Sequence, residues 1–283
     1  MIQRTFTLPA EDGEEIRGDL RLPEGPPPKS AVVVAHGFKG FKDWGFFPFL
    51  CETLVADGHA VVSFNFSLNG IGDDFLNFTR LEAFERNTLS REVAELAGVL
   101  AKVREGELVP APPRKVGLVG HSRGGGVAVL AARAFTEGGG RLDALVTWAA
   151  VAEFGRWTEE QKTEWRREGR IHAMNSRTGQ RLPLGLGLLE DFEKNRERLD
   201  VVRAGAELGT LPWLIIHGEE DETVAVEDAR RLSRANPAAE LEVVSPSGHT
   251  FEAKHPFDGS NPRLDRVVEM TRGHFRRHLL TER

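Results

Sequence analysis

The sequence predicts one α/β domain, a mostly parallel doubly wound sheet with an N-terminal antiparallel hairpin and an inserted cap. Three observations carry this. From Ala31 onward, short and wholly apolar runs alternate with helical stretches, the pattern of strands covered on both faces by helices. The first twenty-two residues instead alternate apolar and polar residues around a turn. Finally, about sixty residues separate two of the apolar runs, far more than an ordinary crossover of this class needs.

The hairpin is expected from residues 2–8 and 15–22, joined by Ala10-Glu11-Asp12-Gly13. The Gly25-Pro26-Pro27-Pro28 stretch then blocks further regular pairing. Buried strands are expected at 31–35, 60–66, 115–120, 142–151, 212–218 and 241–245, because each is a continuous Val/Ile/Leu/Ala-rich run. Leu89, Val93, Leu96, Leu100 and Val103 recur at helical spacing, and further helices are expected at 123–135, 226–235 and 264–280. Residues 1–151 and 201–283 then form the core, and 152–200 an inserted cap over the carboxyl ends of the strands. Within the cap lies a candidate hairpin, 170–174 and 180–184, around Asn175-Ser176-Arg177-Thr178-Gly179.

Composition excludes several classes. Lys and Arg number 37 against 43 Asp and Glu, a net charge of −6, whereas non-specific nucleic-acid binding needs many cations to displace phosphate counterions. The single cysteine, Cys51, cannot form an internal disulfide and falls in an expected helix. The opening MIQRTFTLPAEDGEE has no basic segment followed by an apolar one, so no secretory leader is expected. No apolar run reaches membrane-spanning length. A soluble, cytoplasmic protein is expected, with neither nucleic acid nor membrane as partner. A homodimer remains open.

One turn carries chemistry. Val116-Gly117-Leu118-Val119 runs directly into Gly120-His121-Ser122-Arg123-Gly124, followed by Gly125-Gly126 and an Ala/Val-rich helix. This is G-x-S-x-G in the strand–turn–helix setting the motif requires. Glycines flank the serine because side chains there would collide with neighbouring backbone, and the helix N-terminus favours a developing anion. A phosphate-binding turn does not fit: there is no Gly-x-Gly-x-x-Gly, and no Lys follows the last glycine.

A serine needs a base, and the base needs a carboxylate to fix its tautomer. His217-Gly218-Glu219-Glu220-Asp221-Glu222 follows an expected strand, and Asp221 stands where the loop has cleared the sheet; Glu220 is the second choice. Gly248-His249 follows the last core strand and supplies the base. His36, His121 and His217, at strand ends, are expected to be structural hydrogen-bonders. There is no H-E-x-x-H and no Cys/His cluster, so neither a metal nor a cofactor is expected. The developing oxyanion would be met by the backbone N–H groups of Arg123, next to the serine, and of Phe38 in Ala35-His36-Gly37-Phe38-Lys39-Gly40.

With His36-Gly37-Phe38, Gly120-His121-Ser122-Arg123-Gly124, His217-Gly218-x-x-Asp221 and Gly248-His249 in this order, the chain resembles the α/β-hydrolase superfamily over nearly its whole length. The H-G-F loop and the cap hairpin make it similar to dienelactone-hydrolase-like and feruloyl (cinnamoyl) esterase-like members. It departs from the dienelactone hydrolases proper, which use a cysteine nucleophile where this chain has Ser122. The resemblance implies an α/β-hydrolase fold and a serine hydrolase acting on small-molecule carboxylic esters through an acyl-enzyme. A peptidase or amidase with the same triad, a C–C bond hydrolase or lyase, and a non-catalytic binding protein on this fold stay open. Phe41 and Trp44 after the oxyanion turn, with Trp148 and Trp157, are candidates for an apolar or aromatic acyl pocket, and core packing is the competing expectation for each.

Overall fold

The computed structural model describes residues 1–74 and 76–281. Strands β1 (Ile2–Pro9) and β2 (Glu15–Leu22) pair antiparallel, Ile2 opposite Leu22 and Pro9 opposite Glu15. β2 continues antiparallel onto β4 (Ala60–Asn65), which lies parallel to β3 (Ser30–Ala35); helix α1 (Phe47–Ala56) crosses between these two. Next come α2 (Leu81–Arg86), α3 (Leu89–Glu105), β5 (Lys115–His121), α4 (Arg123–Glu137) and β6 (Ala144–Trp148). The long connection holds α5 (Glu159–Glu168), an antiparallel ribbon of β7 (Arg170–Asn175) and β8 (Gln180–Gly185), α6 (Leu186–Lys194) and α7 (Val201–Glu207). The chain then returns through β9 (Trp213–Gly218), α8 (Glu227–Ala235), β10 (Glu240–Val244) and α9 (Pro262–Phe275), which widens into a π-helical turn, Arg276–Leu280.

The eight-stranded sheet has the order β1-β2-β4-β3-β5-β6-β9-β10 and is parallel from β4 to β10. Both of its faces are buried along β3, β4, β5, β6 and β9, as their continuous apolar runs require. The edge strands β1 and β10 keep exposed positions, so the run at 241–245 is a half-exposed edge and not a buried strand. Along β3 the side chains alternate: Ala31, Val33 and Ala35 enter the layer shared with α3, α4, α7 and α8, while Val32 and Val34 enter the layer shared with α1 and α9. Cys51 is buried in that second layer.

One strand is shorter than its apolar run suggests. The run at 142–151 is a strand only from Ala144 to Trp148, because the backbone turns at Ala149 (φ 46°). Apolar content past a strand end here reflects burial of the following loop: Ala149, Ala150 and Ala152 are all covered. The last helix also starts earlier than expected. Asn261 caps it, its side chain accepting the N–H groups of Arg263 and Leu264, and Pro262 takes the first helical position, where a missing N–H costs nothing.

Candidate active site

Four loops at the carboxyl ends of β3, β5, β9 and β10 meet, because parallel strands place all their carboxyl ends on one side of the sheet. Ser122 joins β5 to α4 with φ 58° and ψ −126°, a backbone conformation that non-glycine residues rarely hold. The surroundings lock it there. Its N–H donates to the Trp148 carbonyl at 2.8 Å, and its carbonyl accepts the Gly125 N–H at 2.9 Å. A side chain at Gly120 would strike the Gly124 carbonyl, one at Gly124 the His36 carbonyl, and one at Gly125 the Ala150 side chain. The glycines are therefore a packing requirement of the turn, beyond the flexibility they bring.

His249 Nε2 lies 2.9 Å from Ser122 Oγ, and His249 Nδ1 lies 2.7 Å from Asp221 Oδ2. Since a carboxylate only accepts, Nδ1 carries the proton and Nε2 presents a lone pair to the hydroxyl. Asp221 is buried and Glu220 is exposed, so of the two carboxylates considered it is Asp221 that faces the imidazole. Asp221 Oδ1 accepts the N–H groups of Thr223 and Val224, each at 2.9 Å. Burial by itself would raise the Asp221 carboxyl; hydrogen bonds from His217 and His249 outweigh it and hold the group well below the ordinary carboxylate range.

Two further histidines support this arrangement. His217, wholly buried, places Nε2 2.8 Å from the Val224 carbonyl and 3.2 Å from Asp221 Oδ2. Both neighbours are acceptors, so Nε2 is protonated and shares its hydrogen between them. His121 donates from Nε2 to the His249 carbonyl at 3.0 Å, with the two rings 4.8 Å apart. Burial, reinforced by the neighbouring His249, lowers the His121 imidazole to about 3, so it is neutral at ordinary pH. The strand-end position of His217 and His121 marked them as hydrogen-bonders. That one of them holds the carboxylate shows only in the i,i+4 spacing of His217 and Asp221, which a loop gives no reason to trust.

The two loops expected to meet an oxyanion converge as well. A Cβ on Gly37 would lie 2.9 Å from the His121 carbonyl and 3.0 Å from Ser122 Cβ, so the β3 loop runs directly against the serine turn. Arg123 is the first residue of α4, and no acceptor among the described residues takes its N–H or that of Phe38. The Arg123 guanidinium sits over the Phe38 ring, 5.1 Å from its centroid, and its Nε donates to Glu92 at 3.0 Å. Burial raises the Glu92 carboxyl, and the Arg123 charge and the Asn87 amide oppose that rise. His36 is turned so that Nδ1 donates to the Gly37 carbonyl at 2.9 Å and Nε2 accepts the Phe66 N–H at 3.3 Å.

The expected acyl-pocket residues behave differently. Phe41 and Trp148 have no exposed surface. Trp148 lies within β6 against Phe46 and Phe251, with its Nε1 donating to Thr271, and it belongs to the α1/α9 layer. Both are core residues in place of pocket walls: Trp148 because an apolar strand position in a doubly covered sheet faces a helix layer, Phe41 because the loop after β3 folds it into the main core. Trp44 is partly buried and stacks on His255, whose Nδ1 accepts the Gly45 N–H. Trp157 meets Trp165 and Phe192 edge-on at 5.1 and 5.6 Å, an aromatic cluster internal to the insertion. The insertion itself reaches the loops after β3 and β4: Lys39 Nζ donates to the Met174 carbonyl, and the Gln180 amide exchanges two hydrogen bonds with the Phe78 backbone.

The profile of the alpha/beta hydrolase family matches residues 32–263. The chain belongs to the alpha/beta hydrolase family. Solved structures similar to this hydrolase include Est1E from Butyrivibrio proteoclasticus, 18% identical with a TM-score of 0.70, the match covering 98% of this chain and 99% of that one. Est1E has also been solved with ferulic acid bound. The esterase domain of a Rhodothermus marinus protein is 20% identical with a TM-score of 0.63, covering 99% and 100%. Dienelactone hydrolase from Anabaena variabilis is 15% identical with a TM-score of 0.62, covering 98% and 99%. At these identities the likeness is one of fold. No curated protein matches the sequence of this hydrolase. Among its described residues no helix is long and apolar enough to cross a membrane.

Proposed function

We propose that this protein is a serine hydrolase of carboxylic esters with small to medium, apolar or aromatic acyl groups. The observation that carries the reading is the continuous hydrogen-bonded line from Ser122 Oγ through His249 to Asp221, set at a turn that forces the serine out of the sheet. His249 Nε2 takes the Ser122 proton as Oγ attacks the ester carbonyl, and Asp221 stabilises the imidazolium that results. The N–H groups of Phe38 and Arg123 donate hydrogen bonds to the carbonyl oxygen as negative charge develops on it. His249 then gives its proton to the departing alkoxide, leaving an acyl-Ser122. Water, deprotonated by the same nitrogen, attacks that acyl group and releases the acid, and Oγ recovers the proton.

Support for an apolar or aromatic acyl group comes from the partly exposed Phe38 ring beside the serine loop and from the ferulic acid bound to Est1E. Labelling by a fluorophosphonate, together with turnover of a panel of acyl and hydroxycinnamoyl esters, tests the reading. The wild type is expected to label and turn over esters, whereas Ser122→Ala and His249→Ala lose labelling and at least about 10⁴-fold in kcat. Full esterase activity in Ser122→Ala overturns the nucleophile. Faster cleavage of the matched amide than of the ester overturns the substrate class.

A further inference from the structure

At the opposite end of the sheet lies a second group of chemically capable side chains that the hydrolytic site does not use. Glu240 opens β10, the edge strand, and His274 and His278 stand four residues apart where α9 passes into its π-helical turn. We propose that Glu240, His274 and His278 form a divalent transition-metal site of the zinc type, which fastens the C-terminal helix to the edge of the sheet.

The geometry argues for it first. One ligand atom from each of the three residues lies within 4.8 Å of the other two, and the two imidazole rings are 4.6 Å apart. Around a tetrahedral zinc with bonds of about 2.0–2.1 Å, ligand atoms stand roughly 3.3 Å apart. Rotation of the exposed Glu240 and the half-buried His278 can supply that closure while His274 stays fixed.

The second argument is the state of His274. Its side chain is almost wholly buried, with 2% of its surface exposed. Nε2 lies 3.3 Å from the Pro212 carbonyl, which can only accept, so Nε2 carries the hydrogen. Nδ1 is then a bare lone pair, buried and without a hydrogen-bond partner among the described residues. A ring that donates one N–H to a backbone carbonyl and offers its other nitrogen is in the tautomer of a metal-bound histidine. A buried acceptor with nothing to accept is otherwise costly.

Access and charge are compatible with a cation. A cleft of about 1040 Å³, lined among others by Lys115, Pro212, Arg277 and His278, reaches the cluster at His278, and Glu240 is itself exposed. Lys115 is turned to the carbonyls of His278 and Thr281. Arg277 holds Glu240 through Nη1 at 3.0 and 3.4 Å and can keep one carboxylate oxygen while the other binds metal. Two imidazoles and one carboxylate favour zinc over magnesium or calcium, which take oxygen ligands. In sequence only the His274-x-x-x-His278 pair is visible, because the third ligand comes from a strand that precedes the two histidines by more than thirty residues.

The test uses tag-free full-length protein. Calorimetric titration with Zn²⁺ should find one site per chain in the wild type, weakened at least about tenfold in His278→Ala and in Glu240→Gln. Zn²⁺ should also raise the thermal midpoint of the wild type and not that of His278→Ala, while labelling of Ser122 by a fluorophosphonate stays equal in both. Absence of saturable Zn²⁺ binding in the wild type overturns the proposal. So does binding of equal strength in both variants, which would mean that the metal sits elsewhere.

Discussion

Two glycines, Gly124 in the serine turn and Gly187 in the insertion, show how differently the two halves of the molecule are constrained. Gly124 lies where the first turn of α4 presses on β3, and any side chain would enter the His36 carbonyl. Gly187 is exposed on α6 with nothing within 4 Å of the place a Cβ would take. The same contrast runs through the hydrogen bonds. Around Ser122 they are buried and backbone-anchored, whereas the insertion, whose Leu182, Leu184, Leu188 and Leu189 pack into the main core, also carries exposed ion pairs such as Arg166–Glu193 within it and Arg170–Glu85 to α2. The geometry proposed for catalysis rests on close packing, which tolerates almost no change. The insertion rests partly on surface contacts that water competes with, and its exposed positions have more freedom to vary.

The sharpest way to break this comparison is the glycine pair itself. Gly124→Ala should destabilise the protein by at least about 1–3 kcal/mol and abolish ester turnover in whatever folds, while Gly187→Ala should be neutral or stabilise by up to about 1 kcal/mol. Urea midpoints and activity of the two variants check it, and equal outcomes would remove the distinction. A smaller effect is expected from the buried support of the acid. Removing the His217 donor with His217→Leu should lower kcat about 10- to 100-fold, the worth of a hydrogen bond to a charged group, with KM little changed. His217→Gln, whose amide can reach toward the same oxygen, should recover part of the loss, which a merely structural role would not predict. Smallest of all, Arg166→Ala and Arg170→Ala should each cost less than about 1 kcal/mol, as exposed pairs do, with kcat unchanged. A loss of several kcal/mol in either would mean that the insertion is held far more rigidly than its exposed pairs imply.

Much of the fold is legible in the sequence because it follows from patterns a few residues long. The period-two alternation marks β1 and β2, the Val/Ile runs mark the buried strands, and the heptad-like recurrence of Leu89, Val93, Leu96, Leu100 and Val103 marks α3. The order of Ser122, Asp221 and His249 is equally local, since each follows a recognisable strand. What is lost is direction. Phe41 and Trp148 look like pocket walls by their neighbours in sequence and are core by their neighbours in space. An aromatic side chain gives no sign of which side of its strand or loop will be covered.

The amino-acid order alone determined which segments become strands and helices, where the serine turn falls and which loops share one end of the sheet, because these depend on backbone periodicity and on the fixed handedness of parallel crossovers. Only the tertiary structure decided that Asp221 and not Glu220 turns to His249, that His217 shares its proton with that carboxylate, and that Glu240 meets His274 and His278. Those are meetings between side chains on separate elements. Their distances are set by how sheet and helices pack, a quantity that no short stretch of sequence contains.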